Sequence, residues 1–278
     1  MDLEAAAALV VAGLAGLAAA AGLAAAAPEG ASSVVNDRMK GLEPFGAELD
    51  QQLGDNLVAF CVFGPAVRHD VDEPDLSTLL VVKDASPKAL RPIEQAVRNW
   101  TKKGNPPPLI FAEAGWRAST DVFPIEIEDM REAHIVIRGV SPFDGVRTTR
   151  TDLRRELERE VRGKLLRLRT ELVAAAADPK ALEGLLLSSA GTFFVLFRAV
   201  LRLADLKPPQ EREPLVWETA ATAGMDADAF PWILDRLGGR PCRNLEAHDA
   251  VGDVYLEQIE RLARFVDTFD SAVPGEEN

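Results

Sequence analysis

Two apolar runs separated by an acidic loop constrain the fold of this chain more than any other feature. The first run is Leu57–Phe63 and the second covers residues 76–82, and each has the length of a buried strand. Gly64 and Pro65 follow the first run, so the chain must turn there. Strands that lack regular polar alternation are covered on both faces, which predicts an α/β sheet packed between helices.

Further segments up to residue 145 extend this sheet. Residues 43–56 have apolar side chains at helical spacing, and residues 88–103 form a second predicted helix that a run of three prolines ends. Short apolar segments at residues 109–111 and 122–127 predict two more strands. We therefore predict an α/β domain with a small mixed sheet over residues 43–145, preceded by a polar linker over residues 31–42.

The remainder of the chain, residues 146–272, is predicted to be an all-helical bundle domain. Proline and glycine residues divide it into helical segments with short connections, which is typical of antiparallel packing. The predicted helices cover residues 151–177, 180–205, 213–223, 228–237 and 245–270.

Residues 5–27 form an uninterrupted apolar run within a hydrophobic amino-terminal segment, residues 1–30. As a helix the run would span roughly 34 Å, enough to cross a bilayer, so we predict a transmembrane anchor. Arg38 and Lys40 follow it and predict that the globular part lies in the cytoplasm, tethered to the inner membrane. The alternatives are an alanine-rich extension without structural consequence, or a true start at Met39.

Charge and cysteine content exclude several classes of function. The net charge of −13 opposes non-specific binding to nucleic acid, so no nucleic-acid partner is expected. Cys61 lies within an apolar run and Cys242 is far from it, without the spacing of a zinc or redox site. The three histidines likewise lack the partners of a metalloprotease motif.

One segment of the chain resembles the pattern of the nucleotidyltransferase superfamily. It begins with Phe63-Gly64-Pro65, continues through nine residues, and reaches Asp75-Leu76-Ser77 and an apolar strand. That superfamily includes folds like DNA polymerase beta and kanamycin nucleotidyltransferase, and bacterial members carry a helical domain after the sheet. In the family pattern, a Gly-Ser turn approaches the phosphates of a nucleoside triphosphate. Two carboxylates one residue apart and a third on a neighbouring strand hold Mg²⁺ ions.

The resemblance implies a set of site residues in this chain. Asp75 and Glu126 would be the catalytic carboxylates and the Mg²⁺ ligands, about 4 to 6 Å apart on adjacent strands. Glu128 is an alternative to Glu126. Gly64 and Ser77 would contact the nucleotide.

Two cations of the helical part, Arg162 and Lys164, would hold the phosphates of the nucleotide. The ordinary explanation for these cations is a solvated helix with ion pairs. A rival Asp-x-Asp frame exists at Asp70 and Asp72, but it leads into Glu73-Pro74 instead of an apolar strand.

Two departures from the family pattern bear on activity. Ser77 stands where the second metal carboxylate belongs, and Pro65 stands where the phosphate turn has serine or glycine. The sequence therefore predicts a degenerate nucleotidyltransferase-fold protein that binds a nucleotide or a protein partner without turnover. The alternative is an active Mg²⁺-dependent enzyme that transfers a nucleoside monophosphate to a hydroxyl group of a small molecule or protein, with Asp72 as a third ligand.

Overall fold

The computed structural model of the protein describes residues 31–68 and 76–269. The chain divides between Thr148 and Thr149 into two compact units. The first is called the sheet unit below and the second the helical unit. The sequence placed this boundary between residues 145 and 146.

The sheet unit contains a four-stranded sheet with the strand order β3-β2-β1-β4. Strand β1 is antiparallel to β2 and β4, whereas β2 and β3 are parallel, so the predicted small mixed sheet with flanking helices is confirmed. The strands are β1 (Leu57–Phe63), β2 (Ser77–Val82), β3 (Leu109–Ala112) and β4 (His134–Gly139). The helices are α1 (Ala31–Leu53), α2 (Pro87–Leu90), α3 (Glu94–Lys102), α4 (Glu113–Arg117) and α5 (Pro124–Glu132), with 3-10 turns at Gly54–Asn56 and Arg91–Ile93.

One face of the sheet packs against α1 and α3. Phe45 of α1 stacks on Trp100 of α3 with ring centroids 4.5 Å apart, and its edge meets Phe60 of β1 at 5.3 Å. The Trp100 indole N–H donates to the main-chain oxygen of Pro106, which satisfies the one polar group of this side chain. These contacts explain why the apolar face of α1 and the alternate residues of β1 and β2 are buried together.

The opposite face of the sheet is covered by a group of aromatic side chains. Trp116 of α4 contacts Phe111 of β3, with centroids 5.2 Å apart, and Phe143, at 5.7 Å. Its indole N–H donates to the main-chain oxygen of Pro142 over 2.6 Å. Both faces of the sheet are therefore closed, and this accounts for the lack of polar alternation in β1 and β2.

Two predicted elements of the sheet unit were wrong, and one strand was missed. Residues 31–42 are the first half of α1 instead of a linker. Residues 122–127 do not form a strand, because α5 begins at Pro124, a residue well suited to the first turn of a helix. The fourth strand is His134–Gly139, which the sequence interpretation did not assign.

The helical unit consists of α6 (Arg150–Ala175), α7 (Pro179–Leu203), α8 (Arg212–Ala223), α9 (Pro231–Leu237) and α10 (Ala250–Thr268). Side chains cap the starts of the three long helices: Thr149 at α6, Asp178 at α7 and Asp249 at α10. Helix α7 packs between α6 and α8, and α10 packs on α6.

Helix α7 is, within the described part of the chain, the one helix long and apolar enough to cross a membrane. Burial against its neighbours explains this composition, since nearly every side chain from Phe193 to Leu203 is buried. The anchor predicted at residues 5–27 lies outside the described residues.

Candidate functional site

The candidate site lies at one end of the sheet, where β1 ends and β2 and β4 begin. Phe63 at the end of β1 pairs with Ser77 on one side and with His134 on the other. The antiparallel pairing thus brings Gly64 and Ser77 to the same end of the sheet, as two of the predicted site residues. Asp75, like Asp70 and Asp72, lies outside the described residues, so the distance from Asp75 to Glu126 stays a prediction.

The turn of the site, residues 64–68, is closed by its own backbone. Gly64 has a φ of 83°, a left-handed conformation that glycine adopts without strain. Its carbonyl accepts the N–H groups of Val67 (3.0 Å) and Arg68 (3.3 Å), and its own N–H donates to the carbonyl of Ala133 over 2.9 Å. Pro65 has no N–H. Three N–H groups of this turn therefore bond to protein carbonyls instead of facing a phosphate.

Ser77 is buried at the start of β2, with 8% of its surface exposed. Its neighbour across the sheet is Phe63, and Leu79 follows it on the same face. A carboxylate at this position would have two apolar residues, Phe63 and Leu79, as its neighbours in the sheet. The four described strands, with sequences LVAFCVF, STLLVV, LIFA and HIVIRG, contain no aspartate or glutamate.

The predicted third carboxylates lie on a helix and not on a strand next to β2. Glu126 is in the first turn of α5, where a negative charge stabilises the helix amino terminus. Glu128 accepts the hydroxyl of Thr148 at 2.5 Å and forms an ion pair with Arg131 at 3.0 Å. The strand assignment of both residues was wrong, because Ile125 and Ile127 alternate with them over too short a stretch to separate strand from helix.

Arg68 is a component of the site that the sequence interpretation missed. Its side chain is 1% exposed, and its Nη2 atom lies 3.0 Å from the carboxylate of Asp129 and 2.9 Å from the main-chain oxygen of the same residue. Buried cations require such partners. The available signal was an arginine three residues after the Pro65 of a Gly-Pro turn.

The cations predicted to hold phosphates take part in ion pairs within the helical unit. Arg162 pairs with Glu158 and with Asp267 of α10, at 3.1 and 2.9 Å, and these interactions raise the pKa of its guanidinium. Lys164 pairs with Glu160 at 3.1 Å. A more deeply buried cation of this unit, Arg198 on α7, is 6% exposed and was not predicted.

The described residues do not fit a two-metal site. They contain no group of three or more histidine, cysteine, aspartate or glutamate side chains that could hold a metal ion. Glu128 is engaged by a cation and a hydroxyl, and Ser77 offers a neutral oxygen. Cys61, next to the site along β1, is buried, and desolvation raises its pKa to about 12, so its thiol remains protonated.

Comparison with known proteins found similarity to a solved structure but no match to a family model or to a curated protein. No protein-family model matches the chain, and no curated protein matches its sequence. Among solved structures, the chain is similar to spectinomycin adenyltransferase AAD(9) from Enterococcus faecialis, crystallised with ATP and spectinomycin. The match has a TM-score of 0.48 and 13% sequence identity, and it covers 84% of this chain and 99% of that chain.

Proposed function

We propose that this chain is a nucleotidyltransferase-fold protein that binds a nucleotide without catalysing nucleotidyl transfer. One observation carries the proposal: the residue at the position of the second metal carboxylate is Ser77, buried at 8% exposure beside Phe63 in a sheet whose described strands hold no acidic residue. Two Mg²⁺ ions need several carboxylate oxygens facing one point, and these strands do not supply them.

The turn supports the same conclusion by an independent route. The family pattern requires backbone N–H groups that face a triphosphate. In this chain Gly64 donates its N–H to Ala133, and Pro65 has none to donate. Loss of one electrostatic stabiliser typically lowers a rate by ~10² to 10³, and here the metal ligand and the phosphate turn are both altered.

Calorimetric titration of ATP into the protein, with and without Mg²⁺, tests binding, and a radiolabelled transfer assay tests chemistry. We expect binding without transfer. If the unmodified protein transfers label at an ordinary turnover and Asp75→Ala abolishes transfer, the protein is an active enzyme and the proposal is wrong. If no nucleotide binds, the ligand is of another kind, and a protein partner becomes the function to test.

The substitution Ser77→Asp tests the environment of the site, with Ser77→Asn as its uncharged, equally large control. Burial without a partner raises the pKa of a carboxyl, so the introduced group begins to destabilise the fold as the pH rises above the ordinary aspartate pKa, and the full penalty is reached above the raised pKa. At pH 7 we expect the free energy of unfolding of Ser77→Asp to be about 2 to 4 kcal/mol lower than that of Ser77→Asn, and this difference should vanish at low pH. Recovery of full stability on adding Mg²⁺ would instead indicate a metal site that needs only this carboxylate.

Restoring transfer is a stricter test of the same proposal. Ser77→Asp alone leaves the altered turn in place, so we expect no transfer from this variant. The double variant Ser77→Asp, Pro65→Ser returns both positions to the family pattern. Transfer by the double variant would show that these two residues alone account for the loss.

A further inference from the structure

Helix α5 is attached on one side to the turn of the candidate site. Arg68 bonds to Asp129, and the N–H of Gly64 bonds to the carbonyl of Ala133, one helical turn further along the chain. These two contacts hold the first and last residues of the turn, Gly64 and Arg68, at the carboxyl-terminal end of α5. The position of the turn therefore depends on where α5 lies.

The other side of α5 is attached to the segment that leads out of the sheet unit. Thr148, the last residue of this unit, donates its hydroxyl to Glu128 over 2.5 Å. Arg131 donates to the main-chain oxygen of Val146 over 2.6 Å and also pairs with Glu128. Residues 146–148 are thus held by two side chains of α5.

We infer that Glu128 and Asp129 are positioning residues that couple the segment 146–148 to the turn 64–68 through α5. They are neighbours in sequence, and a rigid helix carries a shift of one to the other. A displacement of residues 146–148 therefore changes the position of the turn 64–68. The consequence for a ligand rests on the proposed function, whereas the coupling itself does not.

The test compares Thr148→Val with its neighbour Thr149→Val. Both substitutions replace a hydroxyl by a methyl group, but Thr149 bonds to Asp152 at the start of α6 and not to α5. Amide hydrogen exchange is measured by mass spectrometry on the full chain, for peptides that contain Gly64 and Arg68. Peptides from the centre of β2 serve as the reference for global unfolding.

Thr148→Val should accelerate exchange in the turn by roughly 2- to 10-fold, the loss expected for one hydrogen bond, while the β2 reference stays unchanged. Thr149→Val should leave the turn unchanged, and Thr148→Ser, which keeps the hydroxyl, should behave as the unmodified protein. Equal effects of the two valine variants on the turn, or no effect of either, would overturn the coupling. If Thr148→Val does not fold, Thr148→Ser and Glu128→Gln take its place, and turn exchange unchanged in Glu128→Gln would overturn it.

Titration of ATP into the same variants separates the coupling from the proposed function. If Thr148→Val binds ATP more weakly and Thr149→Val does not, the result supports both the coupling and the proposed nucleotide binding. If the unmodified protein binds no ATP, the proposed function fails, and the exchange data still decide the coupling.

Discussion

Replacing Gly139 with alanine should destabilise the sheet unit severely, because this residue ends β4 in a conformation and a space that exclude a side chain. Its φ is 78°, in the left-handed region. An added Cβ would lie 2.0 Å from the main-chain oxygen of Val58 and 2.8 Å from its carbonyl carbon, far inside contact distance. Val140 donates its N–H to the same oxygen, so the two chain segments cannot separate without losing this bond.

The magnitude follows from two contributions. Placing an L side chain in the left-handed region costs about 1 to 2 kcal/mol. Forcing extra volume against backbone atoms costs about 1 to 3 kcal/mol more. The sum, about 2 to 5 kcal/mol, is a large share of the stability of an ordinary domain. With a urea dependence of about 2 kcal/mol per molar, the middle of the usual range, the unfolding midpoint should fall by about 1 to 2.5 M.

Two glycines of α1 serve as matched controls. At Gly41 an added Cβ meets only a ring carbon of Trp100 at 3.8 Å, so Gly41→Ala should stabilise the helix by about 0.5 to 1 kcal/mol. At Gly46 the nearest atom is a methyl carbon of Ile137 at 2.9 Å, a side-chain neighbour that can move, and Gly46→Ala should fall between the other two. Urea unfolding followed by tryptophan fluorescence measures all three. A midpoint for Gly139→Ala equal to that of the unmodified protein would refute the reasoning.

Three other predictions concern the helical unit and the amino terminus. The ion pair with Arg243 lowers the pKa of Asp249, so its contribution to stability is present above the ordinary aspartate pKa and is lost as the pH falls through the lowered value. The variant Asp249→Asn keeps a capping group and should lose about 1 kcal/mol of stability at pH 7. Thermal unfolding should show this difference in stability becoming smaller in acid. Tyr255→Phe removes the buried hydroxyl that Ser189 contacts at 3.3 Å and should lower stability by about 1 kcal/mol in urea titrations. If residues 5–27 are an anchor, carbonate extraction of native membranes should leave the protein in the pellet, and full recovery in the soluble fraction would exclude this.

The sequence predicted the parts of the fold where one periodicity dominates. The uniformly apolar run of β1 was assigned to its exact bounds, and the long helices of the helical unit were found to within a few residues. The segment from 122 to 139 was not predicted correctly, because Ile125 and Ile127 satisfy a strand pattern, whereas the helix signals are Pro124 and Glu126 in the first turn of α5. Once that helix was mistaken for a strand, the true fourth strand had no place in the predicted sheet.

The site was predictable only in part, for a related physical reason. The resemblance grouped Gly64 with Ser77, and the antiparallel pairing of β1 and β2 brings both residues to the same end of the sheet. Their contact with a nucleotide stays a prediction. The ion pair between Arg68 and Asp129 joins residues 61 positions apart, and no local pattern encodes it. The chemical roles given to Glu126 and Glu128 assumed a strand next to β2, whereas both residues lie on α5. Whether either carboxylate binds a metal ion stays a prediction.

The pairing of β1 with β4 has a consequence for the order of assembly during synthesis. Phe63 and His134 are neighbours in the sheet, although more than half of the sheet unit separates them along the chain. A ribosome adding ~5 to 20 residues per second needs several seconds to pass from one to the other. Until then Ala133 and Asp129 have not emerged, and the turn after β1 has neither of its anchors. The turn of the candidate site therefore gains its anchors only late in the synthesis of this unit.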